Sequence, residues 1–184
     1  DLDAENPGSL PQDVLDEGNR AAWGFNVRSG AFKDVRQGQV GASWMGSLGS
    51  LDSQFALWGI RRELFNPIPG RVIDLTRNAG GVRSLFQGQT SLDKQTTFGW
   101  GAGFEIELQR DDRLNFKNKG GEPGDRILDQ LEHVTARGLF IQGRLDTVER
   151  LSILAGLRYD NINFSATDNF LIAPTTVDDL VYPS

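Results

Sequence analysis

The chain has 184 residues, 38% of them hydrophobic, and a net charge of −6, which is long enough for one domain with a sizeable core. An isoelectric point near 4.8 argues against nucleic acid as a partner, and the absence of cysteine removes disulfide scaffolds and cysteine-based zinc modules. No run of 18 apolar residues exists, so no membrane helix is expected, whereas a membrane β-barrel is compatible with the ordinary mean hydropathy of −0.37.

In chain order, residues 1–32 are rich in Asp, Asn, Gly and Pro and read as a long loop, with a short helical turn near Pro11–Asp16. Strands begin at Lys33. In "QVGASWMGSL", Val40, Ala42, Trp44, Gly46 and Leu48 alternate with Gly41, Ser43, Met45 and Ser47. After a turn around Gly49–Asp52, Leu51, Phe55 and Leu57 fall on one side and Gln54, Trp58 and Arg62 on the other. "NPIPG" reads as a strand break, because proline cannot donate to a ladder. Residues 71–90 alternate poorly and leave open one strand or two.

"TTFGWGAGFEIELQRDDRLNF" is the clearest signal. Phe98, Trp100, Ala102, Phe104, Ile106 and Leu108 occupy every second position, and Gly99, Gly101, Gly103, Glu105, Glu107 and Gln109 lie between them. Such a strand is about twice the usual soluble length of five or six residues. About 9–11 tilted residues would cross a bilayer, which accounts for the length and for one greasy face. A polar loop over 113–131 is expected next.

"HVTARGLFIQGRL" and "LSILAGLRYDNINF" read as a hairpin around Asp146–Arg150. A five-residue turn would pair Leu145 with Leu151, Gly143 with Ile153, Ile141 with Ala155 and Leu139 with Leu157, all on one apolar face. The other face would collect Gln142, Arg144, Ser152, Arg158 and Asp160, with Leu154 the exception, and Arg137 and Tyr159 would end the apolar stripe at a membrane–water boundary. Short turns near 49–52, 91–95 and 146–150 alternate with long connections at 1–32, 66–80, 113–131 and 166–178. This layout is that of an all-β, antiparallel up-and-down meander forming part of a transmembrane barrel, with about six strands and the start of a seventh over 33–184.

Several stretches also resemble a known family. "ERLSILAGLRYDNINF" and "GLFIQGRL", with Phe140 and Gln142, are similar to paired barrel strands of TonB-dependent outer-membrane receptors. "RRELFNPIPGRVIDLTRNAGGVR" and "QRDDRLNFKNKGGEPGDRILDQLEHV" resemble long extracellular segments of a siderophore-receptor-like subgroup. The family's N-terminal plug domain and TonB box are not recognisable, so the resemblance is to an internal part of a barrel of about 22 strands. It implies uptake of a scarce ligand, commonly a ferric siderophore, across the bacterial outer membrane. It also implies outer-membrane lipid around the barrel and energy from TonB–ExbB–ExbD acting on the absent plug.

Within that frame the first long loop offers Trp23, Phe25 and Arg28, and the third Arg113 and Phe116, as candidate contacts for an aryl, anionic chelate. Arg62, Glu105, Glu107, Gln142, Arg144, Arg158 and Asp160 are candidate lumen-lining residues, expected chiefly as structural ion pairs. Catalysis is not expected. His133 is the only histidine, and Glu105 and Glu107 share one face instead of opposing each other across a cleft. Asp111, Asp112, Asn115, Asn118 and Asp125 lack the spacing of a calcium loop, and no cofactor or metal is expected. A plugless porin-like channel and a soluble all-β carbohydrate-binding module are the rival readings. The second of these would pack its strands on a shared core.

Overall fold

The computed structural model describes residues 1–18, 20–147 and 151–170, and one antiparallel sheet takes up most of them. A short strand, β1 (Leu2–Glu5), is followed by β2 (Phe32–Leu48), β3 (Leu51–Ile68), β4 (Arg71–Ser91), β5 (Thr96–Lys119), β6 (Glu122–Thr147) and β7 (Leu151–Asp168). Each pairs with its neighbours in sequence, in the order β1-β2-β3-β4-β5-β6-β7. This is the expected up-and-down meander. Ahead of β2, residues 1–31 also carry two helical turns, α1 (Gln12–Asp16) and α2 (Gly24–Arg28), so the stretch is more structured than the loop expected of it. The start of a further strand, expected within 179–184, lies outside the described residues.

Two expected loops are strands. Residues 66–80 and 113–131 belong to β3, β4, β5 and β6, and the actual reversals are Pro69–Gly70 and Gly120–Gly121. The local chemistry explains both. Proline followed by a glycine at φ 86° suits a type II turn, and successive glycines at φ 69° and 100° suit a tight hairpin. Residues 71–91 are one strand. Nor does "NPIPG" break β3 where expected. Pro67 is fully buried and opposite Val72, while the pairing with β2 ends at Asp34 and Phe65, so no donor to β2 is needed there.

The last hairpin keeps its faces but not its pairing. Leu145 lies opposite Ile153, Gly143 opposite Ala155, Ile141 opposite Leu157 and Leu139 opposite Tyr159. The observed register differs from the expected one by two residues, because the strands continue to Thr147 and Leu151 and leave three residues between them. A two-residue slip preserves side-chain parity, which is why the apolar stripe survives.

Cross-strand partners share a face, so the register sorts the whole sheet. One face carries Val40, Leu57, Val82, Leu108, Ile141 and Leu157, with Val40 75% and Leu157 73% exposed. Among the described residues the buried apolar side chains of the core are Ala31, Val35 and Val72. A soluble module cannot be built on so little, and the shared core which that reading required is not formed. Near the short-turn end of this face, Trp44, Phe55 and Phe86 form an aromatic row, with ring centroids 5.8 and 5.3 Å apart. Aromatic girdles of this kind mark the membrane–water interface.

The polar boundary of the apolar face gives the tilt. It falls at Arg36 on β2 and at Asn161 on β7, while the pairing row through Arg36 runs by Glu63, Thr76, Asp112 and Leu131 to Thr167. Six residues along the strand over five strand steps corresponds to an inclination of about 40°, the value typical of membrane barrels. From Phe98 to Leu108 a strand so inclined spans roughly 25 Å, the height of a lipid-facing band.

If that band meets lipid, depth should govern the cost of charge. Ile141→Arg, within the band, is expected to lower folding stability in phospholipid vesicles by roughly 2–4 kcal/mol, and Leu108→Arg, beside the boundary, by about 0–1 kcal/mol. Urea titration of the folded barrel in vesicles distinguishes the two; equal effects would contradict the placement.

Candidate functional site: the polar wall and its outer rim

The opposite face of the sheet is built by the alternate residues of the same strands. Its middle holds a trough of about 610 Å³, lined in part by Met45, Gln54, Arg83, Glu105, Phe140 and Arg158. Glu105 is the centre of its polar network. Arg83 of β4 and Arg158 of β7 both form ion pairs with it, the latter at 2.6 Å. Arg158 also contacts Asp160 at 2.8 Å and lies 5.9 Å from the Phe140 ring centroid. Four strands are therefore joined across this face by one carboxylate and its arginines.

A second cluster lies towards the Gly120–Gly121 end. Arg77 makes a two-pronged contact with Asp111, Nε to Oδ1 at 2.8 Å and Nη2 to Oδ2 at 2.6 Å, and Gln109 Nε2 donates to the same carboxylate at 3.1 Å. Asp111 is 2% exposed, so this pair is sheltered. Arg113 and Glu132 follow on the same face, 3.6 Å apart. At the short-turn end, Arg144 donates to Asp146, which also accepts from the Ser152 hydroxyl. Beyond the band Asp74 is pushed up by burial and by Glu63, while in the β4–β5 turn the Gln95 backbone N–H holds Asp93 below the usual carboxylate range.

The outer rim is tied together by Asn118. Its Nδ2 donates to Ser29 O at 2.8 Å and to Ile68 O at 2.9 Å, and its Oδ1 accepts from Gly121 N at 2.7 Å. One side chain thus fastens the leading segment, the end of β3 and the β5–β6 turn. A hollow of about 360 Å³ opens beside it, between Pro7, Asn26, Val27, Gly120 and Gly121.

The residues singled out in the sequence distribute as follows. Glu105, Arg158 and Asp160 come together in the central network, and Arg144 belongs to the short-turn cluster. Gln142 packs over Gly101 and Gly156. Arg62 and Glu107 share this face and make no ion pair among the described residues. Trp23 caps α2, with Phe25 and Arg28 inside it, and Trp23 and Phe25 are 43% and 51% exposed. Arg113 and Phe116 are on β5, not in a loop. Arg113 is on the polar face, while Phe116 is on the other face, at a register shift. The oxygens considered for calcium are engaged separately: Asp111 with Arg77, Asp125 with Lys117, Asn118 at the rim. Reading the sequence alone missed Arg83 and Arg77, since both lie in the stretch whose alternation is poor.

A wall with lipid-facing residues on one side and an ion-paired, wet face on the other defines a class: the transmembrane, up-and-down β-barrel of the outer-membrane type. The comparisons with known proteins give the family. The model described as "TonB dependent receptor-like, beta-barrel" matches residues 4–183, and the chain belongs to that family, whose place is the bacterial outer membrane. Among solved structures it is similar to the ferric citrate transporter FecA in its unliganded form, with a TM-score of 0.71 and 14% identity. The match covers 95% of this chain and 27% of that one, so the chain spans about a quarter of its neighbour's length.

Two substitutions probe the polar wall. A Cβ on Gly103 would collide with Ser84 O and the Phe140 ring, whereas one on Gly99 would meet only Arg144 O at 4.0 Å. Gly103→Val is expected to cost roughly 1–3 kcal/mol by overpacking and Gly99→Val much less, read from the folded fraction in heat-modifiability gels. Asp111→Ala, which strands the Arg77 guanidinium, is expected to cost roughly 1–3 kcal/mol in urea titration, against at most about 0.5 kcal/mol for the exposed Asp112→Ala.

Proposed function

We propose that the chain is barrel wall in a receptor that takes up a scarce ligand, in particular a ferric siderophore, across the outer membrane. In this reading a plug domain lies elsewhere in a longer polypeptide, and TonB–ExbB–ExbD supplies energy through it. The observation that carries the proposal is the family match over residues 4–183. The sheet adds a physical reason for a longer chain. Among the described residues, β2 presents an unpaired edge from Arg36 onward, beyond its pairing with β1, and β7 presents another. Exposed backbone groups cost several kcal/mol each in lipid, so further strands must close the barrel.

The outer rim is the proposed ligand side. Trp23, Phe25 and Arg28 of the leading segment and Arg113 of β5 supply aromatic surface and fixed cations for an anionic chelate. Phe116 points to the other face and is left out. The midwall network of Glu105, Arg83 and Arg158 is assigned to holding the wall together and meeting whatever fills the lumen.

The test is uptake of radiolabelled ferric chelates by cells carrying the full-length receptor, with and without TonB. Accumulation that vanishes without TonB is the expected result; TonB-independent passage would favour a porin-like channel, and no transport of any iron chelate would remove the siderophore assignment. Trp23→Ala combined with Arg113→Gln is expected to weaken chelate binding by roughly tenfold or more. Arg110→Gln, on the opposite face of the same strand, should leave it unchanged.

A further inference from the structure

The leading segment is held in place by more than its own residues supply. α2 has five residues and buries none of them, so neither helix formation nor packing fixes its position. Yet it carries Phe25 and Arg28, with Trp23 at its cap, and such side chains add affinity only when they are aimed beforehand. Short bonds stitch α2 and its flanks into one unit. Trp23 N donates to Pro7 O at 2.7 Å, Asn26 Nδ2 to Asn6 O at 3.2 Å and Ala31 N to Asn26 O at 3.0 Å. The pairing of β1 with β2 anchors the base of this unit, and its other hold is on β5, three strands away.

That second hold is a joint of three connections around Asn118. Its two amide hydrogens go to different segments, one to Ser29 O at 2.8 Å and one to Ile68 O at 2.9 Å, while Oδ1 takes the Gly121 N–H at 2.7 Å. Fastening the β5–β6 turn needs the Oδ1 contact alone, so the two donated bonds serve the other segments. Backbone also meets backbone here. A Cβ on Gly30 would lie 2.7 Å from Gly120 O and 2.9 Å from Gly120 C, and Gly30 has a φ of 55°, so both the angle and the close approach require glycine.

We propose that Asn118 is a positioning residue for the ligand surface. It holds α2 at the rim before any ligand arrives, so that Trp23, Phe25 and Arg28 are presented in one fixed arrangement with Arg113, which lies on the same strand as the joint. The ligand side of this rests on the uptake reading above. Asn118 itself touches no ligand; it sets the fraction of receptors whose surface is ready to bind.

The test uses the full-length receptor in outer membranes, and trypsin is the first probe. Arg28 is exposed, so its held backbone is what slows cleavage before Ser29. Asn118→Ala and Gly30→Ala attack the joint from opposite sides, and each is expected to speed that cleavage by roughly tenfold or more. Asp125→Asn, which breaks the Lys117–Asp125 ion pair in the same hairpin, should leave it unchanged. The second probe is the iron(III) tris(catecholate) complex, an aryl, anionic chelate. Its half-saturating concentration for uptake is expected to rise roughly tenfold in both joint variants, with maximal uptake and the folded fraction in heat-modifiability gels unchanged. Asn118→Asp keeps Oδ1 and loses both donated bonds, so it should behave as Asn118→Ala. Wild-type cleavage as fast as that of the variants, wild-type behaviour of Asn118→Asp, or a fall in maximal uptake at an unchanged half-saturating concentration would each overturn the proposal. A wild-type receptor that takes up no chelate would overturn the ligand role together with the uptake reading, and the trypsin rates distinguish that failure from failure of the joint.

Discussion

Every long strand in this sheet answers one constraint: in hydrocarbon, a backbone N–H or C=O that lacks a protein partner has no water to replace it. Pairing each strand with its sequence neighbours satisfies those groups with the shortest possible reversals. Hence the two-residue turns at Gly49–Ser50, Pro69–Gly70 and Gly120–Gly121, where glycine or proline supplies the backbone angles. The same constraint makes the two edges of the described sheet meaningful. An edge that would be harmless in water demands a neighbour in a membrane.

Once pairing is fixed, side-chain parity divides the work between two solvents. The apolar face is exposed to a degree that would be ruinous for a soluble protein, and its aromatic row and the polar boundary from Arg36 to Asn161 bracket a band of bilayer height. The polar face is held by carboxylates that each serve more than one donor. Glu105 receives Arg83 and Arg158, and Asp111 receives Arg77 and Gln109. Shared carboxylates of this kind link strands laterally where no hydrophobic core exists to do so.

The strand extensions beyond the band put this wall to use at the rim. β5 continues for about nine residues past Arg110 and β6 for about fifteen beyond Arg137 before they turn, and Asn118 ties their tip to the leading segment. Polar side chains there looked like loop because composition in a water-exposed strand is loop-like. "LNFKNKGGEPGD" has the glycine and charge content of a connection, yet it forms two paired strand ends around two glycines. Composition reports the solvent around a segment, not whether its backbone is paired.

What the sequence by itself determined was periodicity. Phe98 to Leu108 alternates strictly, while Met45, Phe140 and Leu154 are apolar exceptions on the polar side of Val40 to Leu48 and of the last hairpin. In a strand parity alone decides which residues share a face, so the all-β meander and its two solvents were legible. Candidate wall residues such as Glu105, Arg158 and Asp160 followed from the same parity. Only the tertiary structure decided partners and lengths. The last hairpin shifts by two residues without changing faces, so periodicity could not detect it. Arg77 and Asp111 are 34 residues apart and meet because β4 and β5 pair in one particular register. The tilt, and with it the line of the polar boundary on the lipid side, exists only when six strands are laid side by side. It depends on stagger between strands, which no single strand encodes.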